Sequence, residues 1–115
     1  MKLRDLNTDM KLNLVDMYVL TEMKRLEGKI AIVTGSSSGI GETTARLFAR
    51  EGAAVLCVDR TGDAVEAVAA EIRKAGGRAV AHAGNTARPD DAQAAVQCAL
   101  EHFGALDLAF NNDTD

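Results

Sequence analysis

Tryptophan is absent from this sequence, proline occurs once, and the aromatic rings besides two histidines are three phenylalanines and one tyrosine. A core must therefore be built from aliphatic side chains, and helices run free of internal proline breaks. Cysteine is equally sparse. Cys57 and Cys98 have no second ligand at metal-binding spacing and are too few for a disulfide framework, so both are expected to be small buried thiols in a reducing compartment. Positive charge is not in excess either: 13 Lys and Arg face 17 Asp and Glu, for a net charge of -4. A sequence pI near 5.1 with scattered basic residues excludes a nucleic-acid partner, which needs clustered cations. No apolar run approaches the roughly 18 residues of a membrane span. After Lys2 and Arg4 the chain alternates polar and apolar without the hydrophobic core of a secretory signal, so no membrane partner and a cytoplasmic location are expected. What remains is ordinary for a globular protein: 115 residues, 47% hydrophobic and 26% charged, enough for one domain with one core.

The stretch that organises the chain is Lys29 to Gly41, KIAIVTGSSSGIG. Ile30-Ala31-Ile32-Val33 is a continuous apolar run, the mark of a parallel strand covered on both faces. Gly35, Gly39 and Gly41 allow a sharp turn and a close approach of backbone to ligand. A helix beginning near Ile40 aims its free N–H groups and positive dipole end at that turn, which suits a phosphate or pyrophosphate. The turn is thus a candidate dinucleotide site.

Residues 1–25 differ from the rest. They are rich in Met and Leu, and their spacing supports either a helix or a short strand. Residues 1–22 are accordingly set apart as an N-terminal extension, with the domain expected over 23–115. From Lys29 the pattern is regular: a strand at about 29–34, a helix at about 40–51 with Ile40, Thr44, Leu47 and Phe48 on one face, and a strand over Ala53 to Asp59. A helix at about 62–75 carries Val65, Val68 and Ile72, and is stopped by Gly76-Gly77. A third strand covers Arg78 to Ala83. Pro89 opens a helix with Asp90 and Asp91 in its first turn, whose inner face is read as Ala92, Val96, Ala99 or Leu100, and Phe103. Gly104 closes it, and Ala105 to Phe110 reads as a fourth strand. Strands alternating with helices imply βαβ units, and right-handed crossovers give a Rossmann-like α/β sheet in the order 3-2-1-4 with helices on both faces, expected as a fold truncated to about four strands.

Asp59 stands twenty residues beyond Gly39, at the end of the second strand. A carboxylate there accepts hydrogen bonds from the ribose hydroxyls of an adenosine and repels a 2′-phosphate. At this point the residues resemble a known family. Thr34-Gly35-Ser36-Ser37-Ser38-Gly39-Ile40-Gly41 is similar to the TGxxxGIG signature of the short-chain dehydrogenase/reductases, and Leu106 to Asn112 is similar to the segment that ends in NNAG. The resemblance covers about residues 23–112. It implies that Gly35, Ser37, Ser38, Gly39, Ile40 and Gly41 line the pyrophosphate, that Asp59 selects NAD, and that Asn111 lies beside the cofactor. It also implies NAD ahead of NADP, because Ser38 stands where NADP-preferring members often carry Arg, while Arg60 keeps NADP open by offering a charge to a 2′-phosphate.

Two departures accompany the resemblance. Asn85, followed by Thr86, stands where the family usually has the Asp that binds adenine, so contact with the base keeps its hydrogen bonding and loses its charge. NNAG becomes Asn111-Asn112-Asp113-Thr114. The family's proton relay, a Ser with Tyr-x-x-x-Lys, maps onto no position of this sequence: the single tyrosine is Tyr18, with Glu22 four residues beyond. No catalytic residue is therefore named, and no metal site. His82 and His102 read as structural, Asp90 and Asp91 as helix N-terminal charges, Met10, Met17 and Met23 as packing or start residues, and Glu42, Arg46 and Arg50 as a solvated helix face with one salt bridge.

A four-stranded sheet leaves an apolar edge that needs cover. Three covers are open: the N-terminal extension, a second copy of the chain, or the remainder of a longer gene product. Self-association through that edge is expected. The function expected from the resemblance is NAD(P)-dependent hydride transfer between nicotinamide and a small alcohol or carbonyl substrate. The alternative is a non-catalytic nucleotide-binding module or an inactive, self-associating remnant.

Overall fold

The computed structural model describes residues 26–112. The extension read at 1–22, Tyr18, the three methionines after Met1, and Asp113 and Thr114 lie outside the described residues. Seven elements alternate without interruption: β1 (Ile30–Thr34), α1 (Gly39–Arg50), β2 (Ala54–Asp59), α2 (Gly62–Lys74), β3 (Arg78–Ala83), α3 (Pro89–Phe103) and β4 (Leu108–Phe110). The four strands form one parallel sheet in the order β3-β2-β1-β4. This is the topology the alternating pattern predicts.

The sheet separates two cores, which is why its inner strands read as unbroken apolar runs. Ala31, Val33, Val55 and Cys57 point toward α1 and α2, where they meet Phe48, Val65, Val68 and Ile72. Ile32, Leu56 and Val58 point the opposite way, onto Ala92, Ala95 and Ala99 of α3. All five residues of β1 are buried, whereas β4 buries only Ala109, the position between two half-buried neighbours. Register fixes the strand ends: Thr34 pairs with Val58 and Val33 with Phe110, so the C-terminal ends of the strands form one rim.

The structure corrects several sequence expectations. Ile40 is not on the inner face of α1; it is 53% exposed, in a first turn where Gly41 is the residue that lies against the turn backbone at Gly35. On α3 the fully buried residues are Ala92, Ala95 and Ala99, with Val96 and Phe103 half-buried against the same core as expected; of the alternatives Ala99 and Leu100, Ala99 faces inward and Leu100 is exposed. Small side chains win there because they let the helix axis approach the sheet closely. β4 starts at Leu108 rather than Ala105, since Asp107 turns aside: its N–H donates to Ile30 O (2.8 Å) and its carboxylate accepts the Ile30 N–H (2.9 Å). Cys57 is buried as expected, and burial pushes its thiol up to about 12. Cys98 is half-buried, with its sulfur 3.5 Å from His102 Nδ1. Arg46 forms two ion pairs rather than one, to Glu42 (2.8 Å) within α1 and to Glu71 (2.7 Å) across to α2. No helix among the described residues is long and apolar enough to cross a membrane.

Candidate functional site

The turn between β1 and α1 separates its three serines into three different surroundings. Ser36 is fully buried: its N–H donates to Val58 O (3.1 Å), its hydroxyl donates to Val33 O, and it accepts the Val58 N–H (3.3 Å). It carries the hydrogen bonding between β1 and β2 two residues past Thr34, the end of β1. Ser37 turns to Asp59 instead, giving its N–H (3.1 Å) and its hydroxyl (2.5 Å) to the same oxygen, Oδ2. Ser38 is exposed at the N-cap of α1 and makes no side-chain cap. Ser37 and Ser38, the two serines expected to line a pyrophosphate, are half-buried and exposed respectively, whereas Ser36 faces inward.

The glycines divide in the same way. A Cβ on Gly41 would lie 1.9 Å from the carbonyl oxygen of Gly35 and 2.5 Å from its carbonyl carbon, so the helix touches the turn backbone directly. Gly39, at φ +60°, would meet nothing within 4 Å, and the space in front of it is open. Gly35, at φ +65°, faces the Asn112 side chain, with Nδ2 3.1 Å from where its Cβ would stand. The first main-chain bond of α1 runs from Glu42 N–H to Ser38 O (3.3 Å). The N–H groups of Gly39, Ile40 and Gly41 thus fall in the first turn, where a helix has no internal acceptors to offer and where an anion is stabilised.

Asp59 ends β2 with its carboxylate already arranged. Burial raises its pKa, but the Ser37 hydroxyl, the Ser37 N–H and the N–H groups of Arg60 and Thr61 outweigh burial and hold the group below the usual carboxylate range. The Arg60 N–H donates to Oδ1 at 2.7 Å. Asp59 therefore presents a fixed negative charge at the rim. Beside it a small hollow is lined by Gly35, Val58, Asp59, Arg60, Gly84, Asn85 and Thr86, so five of the residues singled out by sequence share one surface. Asn85 is held by the first turn of α3 and the loop before it: its N–H donates to Asp91 Oδ2 (2.9 Å), and its own Oδ1 accepts the Ala87 N–H (3.1 Å).

Asn111 joins the rim from β4. The Thr34 hydroxyl, 1% exposed, donates to Asn111 Oδ1 (3.0 Å) and accepts the Asn112 N–H (2.7 Å). Thr34, Ser36, Val58, Gly84 and Asn112 are site-forming residues beyond those the sequence singled out. Thr34 carried a legible signal, a hydroxyl at the end of a buried apolar run, where it needs a partner. Among the described residues no group of three His, Cys, Asp or Glu side chains is placed to hold a metal. His82 is half-buried in β3, and His102 sits in the last turn of α3. A larger hollow, of about 370 Å³, opens between the C-terminal ends of α1 and α2 around Arg46, Ile72 and Gly77, at the end of the sheet opposite the rim.

Comparison with known proteins accords with this arrangement. A family model described as short chain dehydrogenase matches residues 29–114. The chain is 47% identical over 88 residues to the cyclohexanol dehydrogenase of Acinetobacter sp. strain SE19, which covers 76% of this chain and 35% of that protein. It is 44% identical over 86 residues to an A-factor type gamma-butyrolactone 1′-reductase of Streptomyces virginiae, covering 75% of this chain and 34% of the relative. Among solved structures it is similar to a hydroxysteroid dehydrogenase from Escherichia coli, with a TM-score of 0.75 and 35% identity over 79% of this chain and 39% of the other. The chain spans about a third of the length of the curated relatives it matches.

Proposed function

The chain belongs to the short-chain dehydrogenase family, and from that premise we propose that its rim binds NAD in preference to NADP, as the cofactor half of an oxidoreductase acting on a small alcohol or carbonyl compound. The observation that carries this reading is the carboxylate of Asp59, fixed by Ser37 and standing beside a hollow that Asn85 and Gly35 also line. In it Asp59 accepts the adenosine ribose hydroxyls, the first turn of α1 faces the pyrophosphate over Gly39, and Asn85 and Thr86 meet the base. Arg60 lies at the outer side of the ribose position, and Asn111 borders the nicotinamide side. The residues present fit the group: the space before Gly39 is open, and the donors of the helix start face it. When bound, the nicotinamide supplies the hydride chemistry. No residue of this sequence is given a proton-relay role.

Titration with NADH and NADPH tests the reading. NADH is expected to raise the melting temperature and to enhance in fluorescence at concentrations where NADPH does little. Absence of any thermal shift with either nucleotide at millimolar concentration would refute a dinucleotide site.

The domain is placed from Met23 onward, a boundary supported by Leu26, already in the core at 2% exposure. A cytoplasmic location belongs to the same reading, since both thiols are unpaired and such thiols persist in reducing compartments. We also propose that the chain associates with itself through the outer edge of β4, which pairs with no strand among the described residues and carries half-buried Leu108 and Phe110. Sedimentation at tens of micromolar is expected to show a dimer or larger species, and a monodisperse monomer contradicts the proposal.

A further inference from the structure

The carboxylate of Asp59 is already fully engaged by the protein. Its Oδ2 accepts both the N–H (3.1 Å) and the hydroxyl (2.5 Å) of Ser37, its Oδ1 accepts the Arg60 N–H (2.7 Å), and the Thr61 N–H is a fourth donor to the group. Two carboxylate oxygens offer about four lone-pair positions, so these donors fill them. All but one are main-chain N–H groups. They withdraw only if the turn before α1 or the start of α2 moves, and both are anchored: the Ser36 N–H is bonded to Val58 O (3.1 Å), and the Val65 N–H closes the first turn of α2 on Thr61 O (3.0 Å). The exception is the Ser37 hydroxyl, which sits on a single rotatable bond and changes between staggered positions without any backbone shift. Ser37 is half-buried, so water is at hand for a hydroxyl turned away from Asp59.

A ribose hydroxyl can donate to this carboxylate where a protein donor gives way, and the Ser37 hydroxyl gives way at least cost. It is also the chemical match, an O–H on the carboxylate oxygen, as a ribose would supply. We propose that the Ser37 hydroxyl holds the ribose position on Asp59 in the nucleotide-free chain, and that NAD binds by displacing it. The inference rests on the reading of the rim as a dinucleotide site. What it adds is a residue that limits affinity from within, since Ser37 competes with the ribose for one lone pair of Oδ2. NADP gains far less from the exchange, because its 2′-phosphate puts acceptors where NAD puts a donor.

Fluorescence titration of NADH and NADPH against the wild-type chain and Ser37→Ala tests the proposal. The variant keeps the N–H at position 37 and the other main-chain donors to Asp59, so the carboxylate stays in place with one lone pair open. NADH is expected to bind it about tenfold more tightly, the equivalent of one hydrogen bond that no longer has to be broken, while NADPH tightens by no more than about twofold. Unchanged or weaker NADH binding in a variant with wild-type circular dichroism overturns the proposal and leaves the dinucleotide site standing, as does equal tightening of both nucleotides. Ser37→Cys gives a second reading that does not depend on the alanine variant, because a thiol is a weak donor. It is expected to move the ratio of the two constants toward NADH by a smaller factor, and a ratio that stays at the wild-type value or moves toward NADPH overturns the proposal. Failure of the wild-type chain and both variants to bind either nucleotide removes the dinucleotide reading itself.

Discussion

Replacing Gly41 with alanine is expected to lower the melting temperature by roughly 12 °C or more, with loss of nucleotide binding following from loss of the fold. The added Cβ would stand 1.9 Å from Gly35 O and 2.5 Å from Gly35 C, and both are backbone atoms that no rotamer change can move aside. Relief requires α1 to lift from the sheet or the turn peptide to rotate. Lifting α1 disturbs the packing of Phe48 and Ala45, both fully buried against Val33 and Val55. Overpacking of this severity belongs at the upper end of the usual range, about 3 kcal/mol, and each kcal/mol moves the midpoint of a domain this size by roughly 4–8 °C.

The companion variant isolates the cause. Gly39→Ala meets no atom within 4 Å and suffers only from its φ of +60°. That conformational penalty is about 1 kcal/mol, a shift of roughly 4–8 °C, yet nucleotide affinity should fall at least tenfold because the methyl fills the space in front of the helix start. Thermal melts that place the two variants within a few degrees of each other would show that Gly41 does not carry the contact assigned to it.

Asp59 yields the largest expected change in specificity. Asp59→Ala should weaken NADH by about 10- to 100-fold, the equivalent of a charge-assisted hydrogen bond of roughly 1.5–3 kcal/mol, while leaving NADPH unchanged or tighter. The two nucleotides diverge because they meet the carboxylate differently. A ribose diol gains its acceptors, and a 2′-phosphate gains its repulsion. Alanine also strands the N–H groups of Ser37, Arg60 and Thr61 that the carboxylate now accepts, so Asp59→Asn serves beside it, keeping one acceptor oxygen and removing the charge. The asparagine variant should retain the wild-type melting temperature within a few degrees and still reverse the preference. Equal losses for NADH and NADPH in both variants would contradict the role given to Asp59.

How far the sequence carried depends on what kind of signal each feature leaves. The strands and helices were legible because burial on both sides of a parallel sheet produces unbroken apolar runs, and helices between them show the period of their inner face. Boundaries failed where a side chain left the pattern for a tertiary partner. Asp107 reads as the middle of a strand, but it spends its carboxylate on Ile30, 77 residues away. On α3 the periodicity leaves Ala99 and Leu100 as alternatives and passes over Ala95 for a related reason: hydrophobicity favours the larger residue, and closeness to the sheet favours Ala95 and Ala99. Ile40 was placed inward by helical spacing alone, which is blind to whether the first turn of a helix still overlies the sheet.

By itself the sequence determined the order of the elements, the position of the turn at Gly35 to Gly41, and the acid that closes β2, since each of these is written in local periodicity and in residue types a few positions apart. Only the tertiary structure decided that Ser36 braces the strands while Ser37 holds Asp59, that Gly41 serves packing while Gly39 leaves space open, and that Asn85 gives its N–H to Asp91 while its side-chain oxygen accepts the Ala87 N–H. The two serine outcomes depend on partners 22 residues distant, as in the bonds from Ser37 to Asp59 and from Val58 to Ser36, and Thr34 meets Asn112 across 78 residues. A hydroxyl or an amide carries no mark in sequence of which group it will meet; the fold alone brings the two within 3 Å or so of each other and thereby fixes which capacity is spent and which remains for a ligand.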